Sequence, residues 1–222
     1  MTSAIIVAAG RGRRIGKEKQ WTELAGKSVI LHSLEKFESL ASVDEIVFVV
    51  PKARMDYAKT LARRLKKVRK IIPGGERRMD SVYEGVKVSK GDIVVIHDGA
   101  RPFVDKEVIE KGIDLCKEYD AVITSVPATD TVKYVEDNFV HHTIPREKVW
   151  LAHTPQFFKR KLLIEAYERF HSFDATDESS LVEKCGVRVK VLKDSYENIK
   201  LTTEKDMAFA EAILIEYGQD KG

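Results

Sequence analysis

This chain of 222 residues has only two cysteines, no long apolar run, and charges that nearly cancel. Cys116 and Cys185 are too far apart to form a CxxC pair and read as reduced core thiols, which excludes a disulfide scaffold and a thiolate metal cage. No stretch approaches the ~18 consecutive apolar residues of a membrane span. The segment after Met1 lacks the basic region and cleavage pattern of a secretory leader, so a cytoplasmic protein is expected. Lysine and arginine number 38 against 35 acidic residues, and a net charge of +3 is too even for a protein that mainly grips a nucleic-acid backbone. Neither nucleic acid nor membrane is expected as a partner. The one dense basic run, from Arg63 to Lys70, reads as a solvated helix end, with an anion-binding patch as the alternative. Asparagine and glutamine together number five while 33% of residues are charged, a bias that points to a heat-adapted source.

With 43% hydrophobic residues, the chain can bury a core without staples, and its length suits a single domain over 1–222. Short apolar runs alternate with amphipathic stretches. Strands are expected over 3–8, 46–50, 68–72, 93–96 and 121–126. Helices are expected from Ser28, as a cap, with Val29, Leu31, Leu34, Phe37 and Leu40 on one stripe, and over 55–65, 79–88 and 106–119. Continuous apolar strands mean both faces are covered, so the sheet is expected to be parallel and the class α/β. Over 130–149 the pattern changes to two half-polar strands joined at Asp137-Asn138, a hairpin signature. An isolated hairpin is only marginally stable in water, so this arm should rest on something, and a partner subunit is the economical choice. From Phe157 the βα pattern returns, with a strand over 187–192 and a last helix over 204–217.

The most informative stretch follows the first strand: Ala8, Ala9, Gly10, then Arg11, Gly12, Arg13, Arg14, Ile15, Gly16, Lys17, Glu18, Lys19 and Gln20. A glycine turn at the carboxyl end of a parallel strand offers backbone N–H groups to phosphates. The GxGxxG pattern fails because Ile15 stands where its third glycine belongs. The Walker pattern fails on the Gly10–Gly16 spacing and on Glu18 after Lys17. What remains is a glycine loop carrying Arg11, Arg13, Arg14, Lys17 and Lys19, which suits a triphosphate better than a dinucleotide's diphosphate. Three more strand ends should converge there. Gly74 to Ser81 gives close backbone approach and a hydroxyl. His97 to Pro102 carries Asp98, read either as a Mg²⁺ or substrate ligand or as a turn cap. Asn198-Ile199-Lys200 offers another cation. His141 and His142 should point to opposite faces of the hairpin, and Trp21, Trp150, Phe157 and Phe158 read as packing.

Taken together, the blocks AAGRGRR…KQ, GGERRMDS, HDGARP, Pro127 to Thr131, Thr154 to Phe158, Thr176 to Glu178 and Asn198 to Lys200 stand in the order of one family. The chain resembles the 2-C-methyl-D-erythritol 4-phosphate cytidylyltransferases over nearly its whole length. The resemblance implies a Rossmann-like three-layer nucleotidyltransferase fold with an inserted β-hairpin arm, and a homodimer with arms exchanged across the interface. It also implies CTP and 2-C-methyl-D-erythritol 4-phosphate as substrates, with Mg²⁺ as cofactor. Ala8, Ala9, Gly10, Gly12, Arg13, Gly75, Arg78 and Ser81 would bind CTP. Arg14 and Lys19 would flank the reacting phosphates, with Lys200 near the acceptor phosphate as a third catalytic cation. Asp98, Arg101 and Thr176 would bind the acceptor, with Thr131 and Arg146 reaching it from the other subunit. Any protein-held Mg²⁺ would fall to Asp98, the metal being carried mainly by the triphosphate. Departures from the family pattern are Glu18 where proline is usual, Gly99 where alanine is common, and Glu76 where aspartate is. Another polyol-phosphate cytidylyltransferase, such as one for ribitol 5-phosphate, and a catalytically silent nucleotide-binding module are the competing readings.

Overall fold

The protein is described here by a computed structural model covering residues 1–10 and 19–219, with side chains left out at 19 and 216–219. Arg11, Gly12, Arg13, Arg14, Lys17 and the side chain of Lys19 therefore lie outside the described residues. The chain runs β1 (Thr2–Val7), a hairpin of β2 (Glu23–Leu24) and β3 (Lys27–Ser28), α1 (Val29–Glu38), β4 (Glu45–Val50), α2 (Met55–Ala62), β5 (Val68–Pro73), α3 (Arg78–Val88) and β6 (Ile93–Asp98). It continues with α4 (Lys106–Glu118), β7 (Ala121–Pro127), β8 (Val132–Glu136), β9 (Phe139–Ile144), β10 (Trp150–Lys159), α5 (Arg160–Phe170), α6 (Glu178–Lys184), β11 (Lys190–Lys193) and α7 (Glu204–Gln219).

Seven strands form one sheet in the order β11-β7-β10-β6-β1-β4-β5. All its neighbouring pairs are parallel except the two that β10 makes, with β6 and with β7. Strand β1 shows why its residues are apolar without interruption. Ala4, Ile6 and Ala8 enter a core with Leu34 and Phe37 of α1 and Ile109 of α4, while Ile5, Val7 and Ala9 enter a second core with Val82 and Val86 of α3 and Leu163 of α5. Helices thus cover both faces, and the expected three-layer α/β build is present. From β1 the chain moves outward to β4 and β5, then crosses back to lay β6 on the other side of β1. That reversal creates a switch point between β1 and β6, where α/β sheets open a crevice at the strand carboxyl ends.

Local expectations held in outline, with informative exceptions. Ser28 occupies the N-cap of α1 but makes no capping bond, and its buried hydroxyl has no partner among the described residues. The buried stripe of α1 is Val29, Ile30, Ser33, Leu34 and Phe37, so Leu31 is only half-buried. Helix α2 ends at Ala62, before Leu65, and β11 begins at Lys190 rather than 187. The expectations also lacked β10. Its first three residues are exposed, and its register shifts between Ala152 and Gln156 around a donorless proline, so it shows neither strand periodicity. The arm is a two-stranded hairpin with Asp137 (φ 48°) and Asn138 (φ 66°) in its turn, and it pairs with no strand of the main sheet.

Candidate active site

Two glycine-bearing loops meet at the switch point. The side-chain amide of Gln20 donates to the carbonyls of Ala8 (3.0 Å) and Gly10 (3.2 Å), which pins the start of the first loop to β1. Gly74 has no room for a side chain, since a Cβ there would stand 2.2 Å from Cβ of Ala9 and 2.7 Å from Oγ of Ser81. The backbones after β1 and β5 therefore approach as closely as atoms permit. Ser81 Oγ accepts the N–H of Gly75 (3.1 Å) and donates to the carbonyl of Arg77 (3.1 Å), which fixes the shape of the second loop as it opens α3.

Beside these loops lies a cluster of charge. Asp98, the last residue of β6, accepts Nε of Arg78 on Oδ1 (2.9 Å) and Nζ of Lys200 on Oδ2 (2.5 Å). Burial alone would raise its pKa, but Arg78 and Lys200 outweigh that and hold the carboxyl well below its ordinary value. Arg78 also places Nη1 at 2.8 Å from both oxygens of Glu178, a wholly buried residue on the first turn of α6. Burial opposes charge on this guanidinium too, yet the two carboxylates raise its pKa. Arg101, buried just after β6, donates Nη1 to the carbonyl of Asn198 (2.5 Å), and its Nε has no partner among the described residues.

The backbone at Asp98 is held by a short relay. Burial pushes the pKa of His97 down to about 4, so the ring is neutral at pH 7. Its Nε2 lies 3.0 Å from the carbonyl of Arg101, which can only accept, so Nε2 carries the proton and Nδ1 is left as an acceptor. Thr154 Oγ1 accepts the N–H of Asp98 (3.0 Å), leaving its own proton for Nδ1 of His97 (3.3 Å). Asn198 ties the Lys200 segment to the same strand, donating to the carbonyl of Thr154 (2.9 Å) and to Asp194 (2.7 Å).

The structure thus brings together Asp98, Arg101, Lys200 and Arg78, which the sequence places on three distant segments. Arg78, expected on CTP, bridges the carboxylates of Asp98 and Glu178. Ser81, also expected there, spends its hydroxyl on the loop itself. Thr176 is exposed, two residues ahead of Glu178 at the head of α6. Thr131 is exposed at the base of the arm, where Nη1 of Arg146 donates to the carbonyl of Thr129 (2.7 Å). Glu178, Thr154, His97 and Gln20 drew no functional expectation. Nothing in a sequence separates a buried glutamate from a solvated one, although the TDE block was its only signal.

Asp98 is a poor inner ligand for Mg²⁺, because both its oxygens already face cations. Among the described residues, no group of three His, Cys, Asp or Glu could hold a metal. Among the described residues, this part of the site supplies fixed positive charge through Arg78, Arg101 and Lys200.

A three-layer, mostly parallel sheet with two glycine loops and fixed cations at its switch point defines a Rossmann-like nucleotidyltransferase. The family model described as "IspD: 2-C-methyl-D-erythritol 4-phosphate cytidylyltransferase" matches residues 2–216, and the chain belongs to this family. A relative of that name in Clostridioides difficile is 44% identical, over 96% of this chain and 94% of its own length. Another in Alkaliphilus oremlandii is 41% identical over the same shares. The crystal structure titled 4-diphosphocytidyl-2C-methyl-D-erythritol synthase from Anaerococcus prevotii superposes with a TM-score of 0.88 at 35% identity, covering 96% of this chain and 95% of that one. Among the described residues, no helix is long and apolar enough to cross a membrane.

Proposed function

We propose that this chain transfers the cytidylyl group of CTP to 2-C-methyl-D-erythritol 4-phosphate, giving 4-diphosphocytidyl-2-C-methyl-D-erythritol and pyrophosphate. The observation that carries this reading is the Asp98 cluster at the switch point, in a chain of this family. A phosphate monoester has a second pKa of ~6, so its oxygen is already a dianionic nucleophile at pH 7 and needs no base. That oxygen forms a bond to the α-phosphorus as the bond to the departing pyrophosphate breaks. The difficulty is bringing two anions together and stabilising the charge that develops, which fixed cations do well. Lys200, held by one bond to Asp98, keeps two protons for the acceptor phosphate, and Asp98, kept ionised, accepts hydroxyls of the polyol. Arg14 and Lys19 are proposed to flank the triphosphate, with Ala8, Ala9, Gly10, Gly12, Arg13 and Gly75 along the nucleotide. Mg²⁺ would be held mainly by the triphosphate of CTP, where it would offset the charge on the phosphates.

The arm is proposed to complete the acceptor site of a second subunit, bringing Thr131 and Arg146. Phe139 (76% exposed) and Val140 (60% exposed) on β9 support a homodimer, as apolar side chains that one chain leaves in water. Both cysteines are free thiols, which suits the cytoplasm.

Pyrophosphate release from CTP, with methylerythritol phosphate and ribitol 5-phosphate as competing acceptors, tests the assignment. The methylerythritol ester should win by at least ~10²-fold in kcat/KM, the discrimination that pocket shape alone can give. Preference for the ribitol ester, or no release with either, would sink the proposal.

A further inference from the structure

Glu178 is wholly buried, yet its carboxylate does not close a pair of its own. Oε1 accepts the hydroxyl of Tyr167 (3.2 Å), and both oxygens face Nη1 of Arg78. Arg78 then turns Nε to Oδ1 of Asp98, whose Oδ2 takes Lys200. The result is a line of alternating charge, Glu178, Arg78, Asp98, Lys200, drawn from α6, α3, β6 and the segment before α7. Its last member is the only one that is more than a third exposed, which makes Lys200 the end that meets the crevice.

Physical chemistry fixes what the first member does. A guanidinium prefers two parallel bonds to one carboxylate, because its fork matches both oxygens. Here that arrangement is prevented at Asp98, since Arg78 is drawn the other way by a second buried anion and gives Asp98 a single bond. With Glu178 neutral, Asp98 would be the only carboxylate among the described residues left to answer the Arg78 charge, and the fork would close on both its oxygens. Lys200 would then lose Oδ2. A pair retained only for stability gains little over apolar packing, whereas this one determines which cation holds each oxygen of Asp98.

We propose that Glu178 is a positioning residue for the reaction: by holding Arg78 off Oδ2 of Asp98, it keeps that oxygen for Lys200 and so sets where the ammonium meets the acceptor phosphate. The proposal rests on the acceptor assignment above, and its test separates the two.

Glu178→Gln keeps the size of the side chain and removes its charge. Its kcat should fall ~10–100-fold, the scale of a misplaced reacting group, while KM for CTP stays within about threefold. In a Lys200→Ala background the same substitution should cost less than about threefold further, because the displaced group is already gone. A structural role predicts the same factor in both backgrounds, and that result overturns the proposal, as does a kcat within about threefold of the parent. A crystal structure of Glu178→Gln gives a readout free of activity: Arg78 on both oxygens of Asp98 and Lys200 displaced. An unchanged Lys200–Asp98 contact overturns the proposal even if the parent enzyme uses another acceptor. Failure of the parent to release pyrophosphate overturns the acceptor assignment alone. Should Glu178→Gln not fold, Glu178→Asp keeps the anion opposite Arg78 and should retain kcat within ~10-fold of the parent, and one as inactive as Lys200→Ala overturns the proposal.

Discussion

His97 lies within the crevice wall as a neutral ring, its pKa pushed by burial from 6.5 to about 4. The unfolded chain protonates this histidine near pH 6.5 and the folded chain does not until about pH 4, so between those values the unfolded state binds more protons. Stability is therefore full above pH 6.5 and is lost as pH falls toward 4, by about 3 kcal/mol for this group. Urea unfolding at pH 7 and pH 4.5 should show the loss, and His97→Gln should be less stable at pH 7 but flatter with pH. A parent profile as flat as the variant's would contradict the neutral ring. Asp98, with its depressed pKa, adds stability present above 3.8 that is lost at still lower pH. Gly99 makes a second residue-level case, since a Cβ there would meet Cδ1 of Ile30 at 2.2 Å and the carbonyl of Val7 at 3.3 Å. Gly99→Ala should cost ~1–2 kcal/mol, and less than ~0.5 kcal/mol in an Ile30→Val background that lacks that methyl. Equal costs in both backgrounds would show that Ile30 is not the obstacle. Sequence alone gave Gly99 as a departure from a pattern, and only the packing shows which neighbour leaves it no room.

Among the elements, β10 was the least legible, although it lies inside the sheet between β6 and β7. Its Phe157 enters one core and Phe158 the other, as alternation requires, but only 154–158 of its ten residues carry the buried signal. Of the strands that read correctly, β1, β4 and β6 are buried throughout, so their composition shows the sheet directly, while β5 and β7 are buried only in part. Helix α4 approaches β10 through Gly112, where a Cβ would lie 2.1 to 2.7 Å from three ring atoms of Phe157. That ring is fully buried and cannot step aside, so Gly112→Ala should cost ~2–3 kcal/mol. Thermal unfolding should then show Tm lower by roughly 5–10 °C for a domain of this length. A change under about 2 °C would mean that the helix shifts freely over the strand.

For the whole molecule, the crevice was legible as a place and less so as a set of contacts. Ala8 to Gly10, Gly75, Asp98 and Lys200 do gather at one sheet edge, because parallel strands deliver their carboxyl ends there. The bridging role of Arg78 was not legible, since it depends on a glutamate a hundred residues away. Two tests belong at this scale. If the protein offers Mg²⁺ no cage of its own, millimolar Mg²⁺ alone should leave Tm unchanged, while Mg²⁺ with CTP raises it; a rise with Mg²⁺ alone would reveal a protein-held ion. If arms are exchanged, mixing dissociated Arg146→Ala and Lys200→Ala subunits should restore about a quarter of the sites, since half the dimers are mixed and each has one intact site of two. No recovery, with subunit exchange confirmed by mass, would confine each arm to its own chain.

The arm leaves β7 at Pro127 and returns to β10 at Trp150, and these two residues face each other as partners on neighbouring antiparallel strands. Antiparallel partners lie ~4.5–5.5 Å apart, a gap that a two-residue turn can close. Everything between them is therefore a cassette in the architectural sense: it can be cut out, lengthened or exchanged without moving a single strand of the seven. If the arm carries the acceptor contact and subunit pairing proposed above, a lineage that trades this segment for another can change both while inheriting the two glycine-bearing loops untouched.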